Sequence, residues 1–317
     1  MGKILYLECN SGISGDMTVG ALLDLGADRQ VLENALESLG VDGYHLHFGR
    51  KVVSGLDAFD FDVHLEEHEH GHEEGHGHEE GHWHEEGHRH EDGHGHEHEH
   101  GHEHEHGHEA GHGHEAGHGH PHPHIHRNLH DIYHIIDRLD SNERVKEMAR
   151  TMFHIVAEAE SKAHGLPVEQ VHFHEVGAID SIVDIISAAV CIDNLGVEDV
   201  VVSALSEGHG HVHCQHGVLP VPVPATANIA SSYGLKLHFT DNDGEMVTPT
   251  GAAIAAALRT KDRLPSSCRL LKVGMGAGNK VFKQANVLRA MLLETSQEED
   301  RTMWVLETNL DDCTGEM

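Results

Sequence analysis

An α+β fold, with helices packed on a mixed sheet and one long disordered His-rich insertion, is what this sequence predicts. Three observations carry the expectation. The chain opens on a buried-strand run, Ile4-Leu5-Tyr6-Leu7, which passes through a Gly/Ser loop into a helical pattern beginning at Asp16. Short strand-like runs and helix-period runs then follow one another along the chain outside the insertion. Between His64 and His126, finally, 25 histidines stand among Gly and Glu with almost no apolar residue, so that stretch cannot build a core.

The first helix has apolar positions at Met17, Ala21, Leu22 and Leu25 and is stopped by Gly26; a second spans about Arg29 to Leu39, before Gly40. Tyr44 to Leu65 alternates in type and reads as a two- or three-strand meander turned at Ser54-Gly55. After the insertion, helices are predicted over Asn128–Leu139 and from Ser141 to about His164, ended by Gly165-Leu166-Pro167. A strongly apolar helix follows over Ser181–Leu195, then a strand at Val200–Val202 and a Gly-, His- and Pro-rich loop or edge strand to Pro224. Ala225–Tyr233 is helical and Leu235–Phe239 a strand; Asp241–Gly244 reads as a turn, and Thr248-Pro249-Thr250-Gly251 opens an Ala-rich helix to Leu258. Strands at Leu270–Val273 and Asn286–Leu293 close the core. The expected organisation is a folded part over 1–65 and 125–296, a metal-binding insertion over 66–124, and a linker with the truncated start of a C-terminal domain over 297–317.

Composition narrows the function. The formal net charge is −33, and the insertion carries 17 acidic residues against the single basic Arg89, so nucleic acid is excluded as a partner. No window approaches 18 apolar residues and no basic leader precedes Ile4, which excludes a membrane span and points to the cytoplasm. Five scattered cysteines without a CxxC pair argue against a disulfide framework or a thiolate zinc knuckle. Neutral imidazole is the commonest transition-metal ligand, so the His64–His126 tract reads collectively as metal binding.

Two ordered blocks carry sharper signals. In Val171–Asp184, His172 and His174 alternate and share a face if extended, while Asp180 and Asp184 stand one helical turn apart. Helix capping and the helix dipole would also account for the two aspartates. In Glu207–Gly217, alternation puts His209, His211 and His213 on one face, with Cys214 and His216 adjacent; a solvent-facing edge strand is the plainer reading. The loop Ser11-Gly12-Ile13-Ser14-Gly15-Asp16, at a helix start, offers backbone amides to an anion but lacks the lysine of a P-loop. Thr248, Thr250 and Gly251 repeat that theme, whereas Gly274-Met275-Gly276-Ala277-Gly278 fits no phosphate motif. No GxSxG or HExxH is present, which leaves a hydrolase without support.

These blocks together resemble one family. Leu7–Met17, Val171–Asp184, Glu207–Gly217, Thr248–Ala253, Gly274–Gly278 and Glu307–Asp312 are similar, in this order, to the LarC nickel insertases of nickel-pincer cofactor synthesis. The resemblance implies a lyase-class insertase or chelatase placing Ni(II) into pyridinium-3,5-bisthiocarboxylic acid mononucleotide, with one nickel–carbon and two nickel–sulfur bonds. It implies dependence on CTP with Mn(II) or Mg(II), held mostly by a C-terminal LarC domain, and lactate racemase-type enzymes as indirect clients. Full-length members continue past the NLDD block, so the chain resembles the N-terminal half and is expected to need that second domain as partner. On this reading His172, His174, His209, His211, His213 and His216 are metal ligands. Ser11, Gly12, Ser14, Gly15, Asp16, Thr248, Thr250 and Gly251 bind the nucleotide, and His174, Glu175, Asp180 and Asp184 are candidates for the base. A non-catalytic nickel metallochaperone or storage protein is the competing class, and a nucleotide-binding transferase with an incidental tract is a third.

Overall fold

The computed structural model describes residues 2–65, 127–171, 173, 179–214 and 217–295. By compactness the chain divides into one unit of Met1–Glu67 with His124–Met317 and another of His68–Pro123. The histidine tract, His172, His174, Glu175 and His216 lie outside the described residues, as does the NLDD block.

In chain order the elements are β1 (Lys3–Glu8), α1 (Gly15–Leu25), α2 (Arg29–Glu37), β2 (Tyr44–Val53), β3 (Leu56–Leu65), α3 (Leu129–Arg138), α4 (Glu143–His164) and α5 (Ile179–Leu195). There follow β4 (Asp199–Val202), β5 (Leu205–His209), β6 (His211–Cys214), β7 (Gly217–Pro220), α6 (Pro224–Tyr233), β8 (Leu237–Asp243), α7 (Pro249–Leu258), β9 (Arg269–Ala277) and β10 (Val287–Glu294). Six strands form one mixed sheet in the order β2-β3-β9-β10-β1-β4, antiparallel except for β1 with β4 and β3 with β9. This is the α+β architecture the patterning predicts. β5 pairs with β8 and β6 with β7 in two separate ladders.

Local signals explain the boundaries. Asn128 and Asp131 form a reciprocal capping box at the start of α3, satisfying two orphan amides. Gly26 ends α1 in the left-handed region, at φ 114°. The β2–β3 turn is tight, with both Ser54 and Gly55 at positive φ, so the meander is two ten-residue strands and not three. Asp241–Asp243 does not turn but extends β8. The buried Asn242 side chain holds it there, donating to Gln284 Oε1 at 2.9 Å and accepting from Lys283 N at 3.0 Å.

α1 lies directly on β3, β9 and β10, α5 and α7 pack on α1, and α4 crosses α5, α6 and α7. Leu5, Leu7, Leu22, Phe61, Phe153 and Ile186 are among the fully buried side chains that join these layers. The Gly-rich run 274–278 has a packing role here. It lies in and just beyond β9, and a Cβ on Gly276 would stand 1.9 Å from the Met17 carbonyl oxygen. Only a bare backbone lets the strand meet α1 so closely. Among the described residues, no helix is long and apolar enough to cross a membrane.

Candidate active site

The loop after β1 and the segment before α7 are stitched together. Ile13 N donates to Met246 O at 3.0 Å and Thr248 N returns a bond to Ile13 O at 3.1 Å, while a Cβ on Gly251 would meet Ile13 O at 2.2 Å. Beneath them Glu207 is fully buried. Its Oε1 accepts the amides of Met246 (2.8 Å), Gly208 (2.9 Å) and Val247 (3.3 Å). Burial pushes its carboxyl up, opposed by these amides. Glu207 thus fixes the height of the TPTG turn, a role composition and spacing did not reveal.

Three helices begin at the same place. Gly15 and Asp16 from α1, Asp180 and Asp184 from α5, and Pro249 and Thr250 from α7 line one cavity of about 320 Å³, joined by Asp62 of β3, Glu245 and Asn279. Thr248 caps α7, its Oγ1 accepting from Gly251 N at 3.1 Å. The N-cap of α1, Ser14, makes no capping bond and instead donates its hydroxyl to Asp16. Asp184 of α5 lies against that first turn, where the Asp16 amide favours its charged form. It sits so close that a Cβ on Gly15 would lie 2.2 Å from its Oδ2.

The cavity is strongly acidic, with five carboxylates and no Lys or Arg among its lining. Helix N-termini carry partial positive charge, which offsets part of this density. The remainder shows in the titration of the buried members. Burial raises the Asp184 carboxyl well above its ordinary range, and the charges of Asp16, Asp180 and Asp62 push it further. Burial also raises Asp16, against hydrogen bonds from the Ser14 hydroxyl and the Met17 amide. Asp184 Oδ1 is buried with no hydrogen-bond partner. An orphaned carboxylate oxygen among four other carboxylates fits a cation or a transferable proton.

Of the residues the sequence singled out, Ser14, Gly15, Asp16, Thr248 and Thr250 therefore meet Asp180 and Asp184 in one place. Gly251 acts behind the wall, as does Ser11, whose hydroxyl donates to Ala285 O at 2.7 Å. Gly12, at φ 87°, carries the loop past Met246. The histidine block behaves differently. β5 ends at the exposed His209, and Gly210, at φ 88°, turns the chain before β6. His211 and His213 keep their shared, exposed face, but the three-histidine alternation breaks at Gly210. His213 and Cys214 line a second cavity of about 300 Å³ with His164 and Glu160; it shares Glu245 and Pro249 with the acidic one. Among the described residues, no three His, Cys, Asp or Glu side chains are arranged to hold a metal ion.

Asp62, Glu245 and Asn279 were not anticipated. A signal for Asp62 was present: Asp60, Asp62 and His64 alternate along β3, opposite His45 and His47 in β2.

The chain matches the family described as nickel insertion protein over residues 5–317. It is 49% identical, over its whole length, to the pyridinium-3,5-bisthiocarboxylic acid mononucleotide nickel insertion protein of Alkaliphilus metalliredigens, of which it covers 70%. Proteins of the same description from Staphylococcus epidermidis and Geobacillus kaustophilus are 34% and 36% identical, matched over 100% and 99% of this chain and 66% and 68% of their own lengths. The chain thus spans about two thirds of the curated relatives it matches. No solved structure matches it.

Proposed function

Since the chain belongs to the nickel insertion protein family, we propose that it takes part in nickel-pincer cofactor synthesis, binding Ni(II) and inserting it into pyridinium-3,5-bisthiocarboxylic acid mononucleotide in the acidic cavity. The observation that carries this reading is the convergence of three family-like blocks, from the starts of α1, α5 and α7, on the orphaned carboxylate of Asp184. A lyase-type insertion replaces a ring C–H by C–Ni, so one proton must leave for each nickel bound. Asp184 Oδ1 is the acceptor we assign: it is buried, has no hydrogen-bond partner, and as a carboxylate beside the nickel can take the ring proton. Nickel reaches the cavity held by hard oxygens, and the softer thiocarboxylates of the substrate draw it off. The phosphate of the mononucleotide is assigned to the starts of α1 and α7, where the helix dipoles favour an anion.

The cavity does not fit CTP, because a triphosphate would face five carboxylates with no lysine or arginine in the lining. We therefore assign CTP and its Mn(II) or Mg(II) to a C-terminal domain, in the length of the relatives that this chain does not span, and treat that domain as the partner. Location in the cytoplasm and supply of lactate racemase-type enzymes belong to the same reading.

The test is single-turnover insertion with CTP, Mn(II) and the remaining length of the Alkaliphilus relative supplied, the product being detected by mass spectrometry. Asp184→Asn is expected to slow insertion by about 100- to 10,000-fold, the range of a lost proton acceptor. Insertion at the unaltered rate removes Asp184 from the reaction. A nickel carrier without chemistry would bind Ni(II) and form no product in either protein.

A further inference from the structure

The end of the β2–β3 hairpin from which the histidine tract departs carries a built arrangement of its own. Antiparallel register sets His45 opposite His64, His47 opposite Asp62 and Gly49 opposite Asp60, so His45, His47, Asp60, Asp62 and His64 share one face. The His45 and His64 rings stack at 5.0 Å between centroids, 6° from parallel, and His47 stands edge-on to His64 at 5.9 Å. Two of the three imidazoles have a carboxylate at hand: His64 Nε2 is 3.7 Å from Asp62 Oδ2, and His47 Nε2 is 3.6 Å from Asp60 Oδ2. Both carboxylates therefore stand beside the rings as further oxygen donors to an ion held there. Asp62 at the same time lines the acidic cavity, and its charge is felt by both Asp16 and Asp184.

We propose that His45, His47 and His64 form a nickel transfer site that passes Ni(II) along Asp62 into the acidic cavity. Directly opposed cross-strand residues have Cβ atoms about 5 Å apart, a span over which two imidazoles can chelate one ion. The rings now stack rather than point at one centre, so binding requires them to rotate. The half-exposed His47 and His64 side chains, each 48% accessible, are free to do so. Transfer is ligand exchange alone: imidazole nitrogens leave as carboxylate oxygens enter, and nickel keeps its charge of two. Imidazole holds nickel better than carboxylate does, so the ladder empties only as the product's Ni–S and Ni–C bonds form. The destination rests on the insertion reading above, whereas binding at the hairpin does not.

The experiment is carbethoxylation footprinting of the intact chain by mass spectrometry, with nickel chloride as the only probe. His154, 51% exposed on α4 beside Glu158, is the internal reference. Once nickel exceeds the capacity of the tract, His45, His47 and His64 are expected to lose reactivity while His154 keeps it. Asp62→Asn should raise the nickel needed by about 10-fold, as for loss of a carboxylate supporting a ligand. A His45→Gln/His64→Gln variant, with its fold checked by far-UV circular dichroism, should leave His47 unprotected. If all three histidines react like His154 at every nickel level, the proposal falls. Asp184→Asn separates the two ideas, since protection should survive in it whether or not insertion depends on Asp184.

Discussion

Gly276→Ala links the packing of the sheet to the chemistry of the cavity. The new methyl carbon would lie 1.9 Å from the Met17 carbonyl oxygen, 2.6 Å from Ala21 N and 2.9 Å from the Met17 carbonyl carbon. All three are backbone atoms of α1, so no flexible side chain can yield. To reach 3.0 Å, the floor for real Cβ contacts, the first turns of the helix must retreat by about 1.1 Å. Overpacking of this kind costs about 3 kcal/mol, which for a folded part of this size lowers Tm by about 6–12 °C. Gly15 and Asp16 precede Met17 and line the cavity, with Gly15 close against Asp184, so the same retreat opens the cavity. A displacement of about 1 Å typically costs about 100-fold in rate. Thermal unfolding by circular dichroism and single-turnover insertion measure the two effects. A variant within about 2 °C of the parent, with insertion intact, would show that α1 is not held at this height by the glycine, and the account of the site's rigidity would be wrong.

Two further predictions follow from buried carboxyls. Glu207→Ala strands three buried amides and should cost about 3–6 kcal/mol in urea unfolding; a loss below about 1 kcal/mol would mean that the TPTG turn is held by other bonds. The Asp184 carboxyl is raised in the folded state, so its contribution is intact below the unfolded carboxylate pKa of about 4 and is lost as pH climbs to the raised folded value. Asp184→Asn should accordingly be more stable than the parent at about pH 7 and equal to it at about pH 4, whatever its effect on insertion. Equal destabilisation at both pH values would contradict the shift.

Much of the fold was legible because its signals are local. The i, i+4 apolar spacing and Gly26 define α1, Asn128 announces α3, and Ser54-Gly55 turns the hairpin. What was hidden depends on contacts distant in sequence. The reason for Gly274 and Gly276 emerges only when β9 is laid on α1, and Asn242 belongs to β8 only through Gln284 and Lys283. The same holds for the site. Asp180 and Asp184 could each be suspected alone, with helix capping and the helix dipole as sufficient explanations, while Asp16 and Thr250 stood in separate loop motifs. Their meeting in one cavity is a tertiary fact. The 25 tract histidines point to a transition metal, while the carboxylates proposed to receive it are spread over α1, β3, α5 and the loop before α7.

The most direct test is anomalous diffraction at the nickel edge from crystals of the protein soaked with Ni(II) and the bisthiocarboxylate mononucleotide. A nickel peak is expected inside the acidic cavity, within coordination distance of the Asp184 carboxylate, with the mononucleotide phosphate against the starts of α1 and α7. Nickel confined to the His213–Cys214 cavity, with the acidic cavity empty, would contradict it.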